Sequence, residues 1–164
     1  MTVTSLRLVS FCLALVALAL SAAAQETQLS FGALRADPDL PVEVTAATLD
    51  VDQETGEAVF RGDVVVIHGE MRLSGDEVVV VYDEESAGIA RLEARGKVIL
   101  VNGDEAAEAD DARYDVESGL VFLTGNVLLT QGRTTLSSER MTVDLNAGTA
   151  QMSGRVRTIL QPEN

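Results

Sequence analysis

The strongest constraint on this chain is a repeated strand signature built around glycine. Ala58-Val59-Phe60-Arg61-Gly62-Asp63-Val64-Val65-Val66 has the same pattern as Val121-Phe122-Leu123-Thr124-Gly125-Asn126-Val127-Leu128-Leu129. Related copies run from Leu92 to Leu100 around Gly96 and from Ala150 to Thr158 around Gly154. The central glycines are 34, 29 and 29 residues apart. Regular self-similarity at this period marks a stack of one repeated supersecondary unit. In the first three copies a second glycine follows seven residues later, at Gly69, Gly103 and Gly132. Turns precede the copies at Glu54-Thr55-Gly56, Ser86-Ala87-Gly88, Glu117-Ser118-Gly119 and Asn146-Ala147-Gly148.

Phase around each central glycine identifies the element. Positions two and four away are Ala58, Phe60, Val64 and Val66, then Leu92, Ala94, Val98 and Leu100. The later copies supply Val121, Leu123, Val127, Leu129, Ala150, Met152, Val156 and Thr158, and only Thr158 is polar. Positions one away are Arg61, Asp63, Arg95, Lys97, Thr124, Asn126, Ser153 and Arg155, all polar. Alternation with period two means β-strands with one face inward. The glycine takes the inward phase, where it permits a bend or a close backbone approach. A second strand type alternates with the first: Leu49-Asp50-Val51-Asp52, Val80-Val81-Tyr82-Asp83, Ala112-Arg113-Tyr114-Asp115 and Met141-Thr142-Val143-Asp144. No proline lies between Val42 and Gln161, which suits unbroken strand ladders. The expected fold is all-β, a twisted antiparallel jelly roll or solenoid-like sheet stack around one apolar lumen open at its ends. From periodicity alone, a closed core filled by the same side chains is the more expected product, since most alternating strands simply bury a core.

The start of the chain reads as a secretory signal peptide over residues 1–24. Arg7 is its only charge, Leu8 to Leu20 form an apolar run broken only by Ser10, and Ala22-Ala23-Ala24 offer a small-residue cleavage site. The apolar run of thirteen residues falls short of the ~20 that a spanning helix needs; retention as an anchor is the alternative. Cys12, the only cysteine, lies inside it, so no disulfide is expected in the mature domain. Residues 25–40 read as a loose leader, 41–160 as the domain and 161–164 as a tail.

The formal net charge is −14. That excludes the basic footprint which nucleic-acid binding requires. No enzyme is expected. A metal site or Ser-His-Asp group needs histidine, and His68 beside Gly69 stands alone. Asp104, Glu105, Glu108, Asp110 and Asp111 lack the ligand order of a calcium loop and read as a solvated face. No cofactor is expected.

Phe60-Arg61-Gly62-Asp63-Val64 and Leu123-Thr124-Gly125-Asn126-Val127-Leu128-Leu129-Thr130-Gln131-Gly132 resemble the G-N-V-x-[hydrophobic]-x-Q-G signature of the OstA-like lipopolysaccharide-transport family. Ala109-Asp110-Asp111-Ala112-Arg113-Tyr114-Asp115 is similar to that family's A-D-x-A-x-Y-D strand, and Pro41-Val42-Glu43-Val44-Thr45-Ala46 to its opening strand. The resemblance covers about residues 40 to 160. Asp63 stands where one copy usually has asparagine, and the interval from Gly96 to Gly119 is shorter than in some members.

The resemblance implies a periplasmic, stand-alone bridge that binds lipid A acyl chains of lipopolysaccharide and carries it from the inner-membrane export complex to the outer-membrane assembly complex. It implies contact with an LptC-like inner-membrane protein, an LptD-like outer-membrane protein and further copies of itself, head to tail. A membrane-anchored LptC-type component and a structural β-adaptor with a filled core are the alternatives. Lumen residues expected from phase are Phe60, Val64, Val66, Val98, Leu100, Leu123, Val127, Leu129, Met152 and Val156; Val42 and Val44 join them through the resemblance. Assembly edges are expected at Val42, Glu43, Val44 and Thr45 and at Val156, Arg157, Thr158, Ile159 and Leu160. Neither edge carries an internal proline or a lysine to block strand addition.

Overall fold

A computed structural model describes residues 28–30, 40–83 and 88–160. The segment read as a signal peptide and the tail lie outside the described residues. Eleven strands form one antiparallel sheet: β1 (Gln28–Ser30), β2 (Val42–Thr45), β3 (Thr48–Asp52), β4 (Glu57–His68), β5 (Met71–Tyr82), β6 (Ile89–Asn102), β7 (Glu105–Asp115), β8 (Leu120–Gln131), β9 (Thr134–Asp144), β10 (Thr149–Ser153) and β11 (Arg157–Leu160). The order is β1-β10-β9-β8-β7-β6-β5-β4-β2, with β3 also on β4 and β11 also on β9. Among the described residues there is no helix, and none that could cross a membrane.

Two kinds of turn make the meander. Gly69, Gly103 and Gly132 each open a two-residue hairpin loop, between His68 and Met71, Asn102 and Glu105, and Gln131 and Thr134. Their φ values are +61°, +61° and +57°, with no positive φ at the next residue, which is the φ pattern of a type II′ turn. At the opposite ends, aspartates close four-residue loops. The Asp52 carboxylate accepts from Glu54 N at 2.8 Å, Asp115 from Ser118 N at 3.1 Å and Asp144 from Ala147 N at 2.8 Å. These side-chain acceptors satisfy loop N–H groups that no strand reaches.

The central glycines fold the sheet on itself. Register shifts between Arg61 and Val64, Arg95 and Val98, and Thr124 and Val127, so each glycine and its successor oppose a single partner residue. Both members of each pair have positive φ: Gly62 and Asp63, Gly96 and Lys97, Gly125 and Asn126, Gly154 and Arg155. Such a bulge bends a strand sharply. The expected inward placement of these glycines is therefore corrected. A Cβ on Gly96, Gly125 or Gly154 would strike Asp76, Asp110 or Glu139, all three exposed on the outer side. Asn126 Nδ2 donates to Asp110 at 2.8 Å and Arg155 Nε to Glu139 at 2.8 Å, tying this outer corner together.

The row of bends divides the sheet into two layers. Layer A holds 57–61, 77–82, 89–95, 111–115, 120–124 and 140–144, with β3, β10 and β1. Layer B holds 64–68, 71–75, 98–102, 105–109, 127–131 and 134–138, with β2 and β11. Long strands cross both layers, whereas at each end the chain uses separate short strands. Between β2 and β3 it crosses at Ala47, whose N–H donates to Arg61 O and Gly62 O, each at 3.1 Å. Inward apolar side chains of both layers form one contiguous core. Each fully buried Leu or Val there contributes about 1.5–3 kcal/mol. Within the leader read over 25–40, Gln28–Ser30 pairs with β10 and so is not loose.

Candidate functional site

Cross-strand partners share a face, so the register lists the interior as rows running the length of the stack. In layer A one row is Leu49, Phe60, Val78, Ala94, Ala112, Leu123, Met141 and Met152. A parallel row is Val51, Ala58, Val80, Leu92, Tyr114, Val121, Val143 and Ala150. In layer B, Val44, Val66, Leu73, Leu100, Ala107, Leu129 and Leu136 form a third. Nearest the bend lie Val64, Val98, Ala109 and Val127, all buried.

The structure brings together nearly all of the residues that phase placed inside. Val64, Val66, Val98, Leu100, Leu123, Val127, Leu129 and Met152 are buried in the core. Val42, Val44 and Phe60 are half-buried and pack against it. Val156 is a correction: it is 46 % exposed. It follows the fourth bend, where β10 has ended and β11 has not begun, so no neighbouring strand covers it. For the same reason the last assembly edge starts at Arg157 rather than Val156. All eight positions adjacent to the central glycines are exposed, as alternation requires.

Sequence reasoning missed half of the interior. Leu73, Val78, Val80, Leu136, Met141, Val143 and Tyr114 line it from the return strands β5, β7 and β9. Val80, Tyr114, Met141 and Val143 lie in the second strand type, whose phase no glycine fixed, while Leu73, Val78 and Leu136 fall outside both repeated patterns. The pairing of His68 with Tyr114 had no local signal. His68 Nδ1 and the Tyr114 hydroxyl lie 2.9 Å apart, both side chains buried, 46 positions apart in the chain. Burial, and then the neighbouring Asp115 carboxylate, push the Tyr114 phenol up to about 12.

The interior ends at exposed residues. Leu49 and Val51 continue the inner rows onto β3 but are 53 % and 63 % exposed, since among the described residues no further strand pairs beyond β3. At the other end the layer B row passes from Leu136 to the exposed Thr158 on β11, while Ile159, paired with Thr135, is exposed on the outer face. The outer face of layer A is a ladder of charges instead: Arg61 meets Asp50 at 2.6 Å and Glu77 at 2.8 Å. A groove of about 450 Å³ on that face runs past Glu93, Arg95, Asp111, Arg113 and Phe122. Its guanidiniums are matched by Glu77, Glu93 and Asp115, so it offers no unbalanced cation.

One inward row differs from the rest. At the lip of layer B, farthest from the bend, run Val42, His68, Met71, Asn102, Glu105, Gln131 and Thr134. Asn102 is fully buried, and neither Nδ2 nor Oδ1 has a hydrogen-bond partner among the described residues. Glu105 Oε1 accepts from Gln131 Nε2, while the buried Oε2 has none.

Residues 43–153 match the family described as "LptA/(LptD N-terminal domain) LPS transport protein". The lipopolysaccharide export system protein LptH of Pseudomonas aeruginosa is 28 % identical over 149 residues, covering 80 % of this chain and 85 % of its own. The lipopolysaccharide export system protein LptA of Escherichia coli K12 is 25 % identical over 140 residues, covering 79 % and 76 %. The crystal structure of Pseudomonas aeruginosa LptH, described as the LptA-homologous periplasmic component of a lipopolysaccharide transport device, superposes with a TM-score of 0.69. It is 23 % identical and covers 77 % of this chain and 99 % of its own.

Proposed function

Because the chain belongs to the LptA and LptD amino-terminal-domain family of lipopolysaccharide transport proteins, we propose that it is a periplasmic bridge that holds lipopolysaccharide by its acyl chains and passes it toward the outer membrane. The observation that carries this reading is the set of apolar inner rows, continuous from β3 at one end to β10 at the other and left uncovered at the β3 end. Each CH₂ of a guest chain moved from water into such an interior is worth about 0.8 kcal/mol. Several acyl chains are therefore held without any polar contact to a head group.

Assembly follows from the same ends. β2 and β3 pair only with β4, and β11 only with β9, so each has one edge without a strand partner among the described residues. An LptC-like protein on one side, an LptD-like protein on the other and copies of the chain itself dock by adding strands there. Unlike ends joined head to tail build an open rod. At the β11 end the outer edge of β10 is already taken by the three-residue β1, so the edges there without a strand partner among the described residues are those of β1 in layer A and β11 in layer B.

Purification of the chain from its native envelope, followed by mass spectrometry of the extracted lipid, tests the proposal. Lipid A recovered with the parent chain supports it. Lipid-free protein, which also fails to take up added lipid A, refutes it and leaves a β-adaptor with a filled core.

A further inference from the structure

The polar residues of the layer B lip have no part in holding hydrocarbon, and the hairpins do not require them. A type II′ turn demands glycine at its first loop position and leaves the preceding residue free. That preceding residue is His68, Asn102 or Gln131, each with its partner across the hairpin facing inward. Asn102 could bond its own loop, yet its amide does not. Buried polar groups are rarely left unpaired, because each costs about 1–3 kcal/mol that leucine at the same place would avoid. Retaining one at the lip calls for a partner that arrives with the function.

On the transport reading, on which this inference rests, Val64, Val98, Ala109 and Val127 make the bend side wholly apolar, so acyl chains placed toward the bend put the neck of the amphiphile at the polar lip row. Asn102 supplies two N–H donors and one acceptor, and its cross-strand neighbour Glu105 supplies a free acceptor oxygen. A carbonyl beside an N–H is the group that uses both. We infer that Asn102 and Glu105 form a subsite for an amide linkage, so that the protein selects amphiphiles whose chains are N-acylated onto the head group over those joined by esters alone. The ester offers the carbonyl to Asn102 but nothing to Glu105 Oε2.

Calorimetry with two probes of equal chain length, N-dodecanoyl-glucosamine and 6-O-dodecanoyl-glucose, tests this on the mature chain. The parent should bind the N-acyl probe about tenfold more tightly, a difference of ~1.4 kcal/mol. Glu105→Met should erase the preference, and Asn102→Leu should weaken both probes while leaving thermal stability equal or higher. In case either variant fails to fold, the Asn102 side-chain NH₂ resonances of the parent provide a second readout, expected to shift with the N-acyl probe and not with diphenylhexatriene. Equal affinities in the parent, a preference that survives Glu105→Met, or unmoved Asn102 resonances would overturn the subsite. If lipid A still binds in those cases, the transport reading stands without it. If the parent binds neither probe nor lipid A, both fall together.

Discussion

His68 and Tyr114 meet at 2.9 Å although they sit on β4 and β7, three places apart in the sheet, and on opposite sides of the bend. A flat sheet would hold them more than 10 Å apart at ~4.8 Å per strand. Their contact therefore records how far layer B has closed over layer A, and it sits beside the lip through which a guest would leave.

Burial of the Tyr114 phenol, with the Asp115 carboxylate beside it, gives the fold an alkaline limit. Tyr114 ionises at about 12 folded against 10.0 in the open chain. A raised acid pKa favours the neutral, folded form, so its stabilisation is complete below pH 10 and is lost as pH climbs toward 12. The size is on the order of 2–3 kcal/mol. Thermal melts from pH 8 to 12 should show the parent falling steeply above pH 10. In Tyr114→Phe this component should be absent; an identical alkaline profile would contradict the assignment.

Inside and outside differ by one residue at the third bend. Val127 is 1 % exposed, and the adjacent Asn126 is exposed. A carboxylate at Val127 cannot be solvated there, so Val127→Asp should abolish lipid loading and cost several kcal/mol of stability. Phe60→Asp should act in the same direction. Asn126→Gly tolerates the positive φ and should do far less. Circular dichroism must accompany the loading assay, and equal losses at positions 126 and 127 would reverse the facing.

The bends themselves are testable. Gly125 combines φ +79° with the Asp110 carboxylate lying where a Cβ would go. Gly125→Ala should destabilise by about 1–3 kcal/mol, lowering the melting temperature by roughly 2–4 °C for each kcal/mol. An unchanged melt would mean that the left-handed pair is not needed.

The inner rows of the outgoing strands were legible because glycine set their phase and valine and leucine filled it. The left-handed pair was not, since a mid-strand glycine looks the same whether it stays in the pleat or leaves it. Val156 failed for a related reason: its phase is right, but the strand that would carry it breaks at Gly154 and Arg155. Tyr114, His68 and Gln28–Ser30 find their partners far along the chain, where local pattern carries no information. The lip row was visible only as polar letters before three glycines.

End-to-end assembly depends on the free edge of β11. Alternate N–H groups of a strand point to opposite sides, so of Arg157 and Thr158 one donates toward β9 and the other outward. Arg157→Pro and Thr158→Pro together therefore include one variant that blocks addition while sparing the fold. Light scattering over a wide concentration range should show growing rods for the parent and arrest in that variant. A parent that stays monomeric at high concentration, or two variants that assemble like the parent, would count against head-to-tail stacking.

The central claim is that acyl chains occupy the interior between the layers. Neighbouring residues on β8 test it most directly: Leu129 faces inward with 0 % exposure, and Thr130 faces out. A photoreactive amino acid is placed at each site in turn, and the protein is irradiated with lipopolysaccharide present. A lipid adduct at position 129 and none at position 130 is the predicted result. Adducts at both positions, or at 130 alone, would show that lipid rides on the surface and would contradict the account.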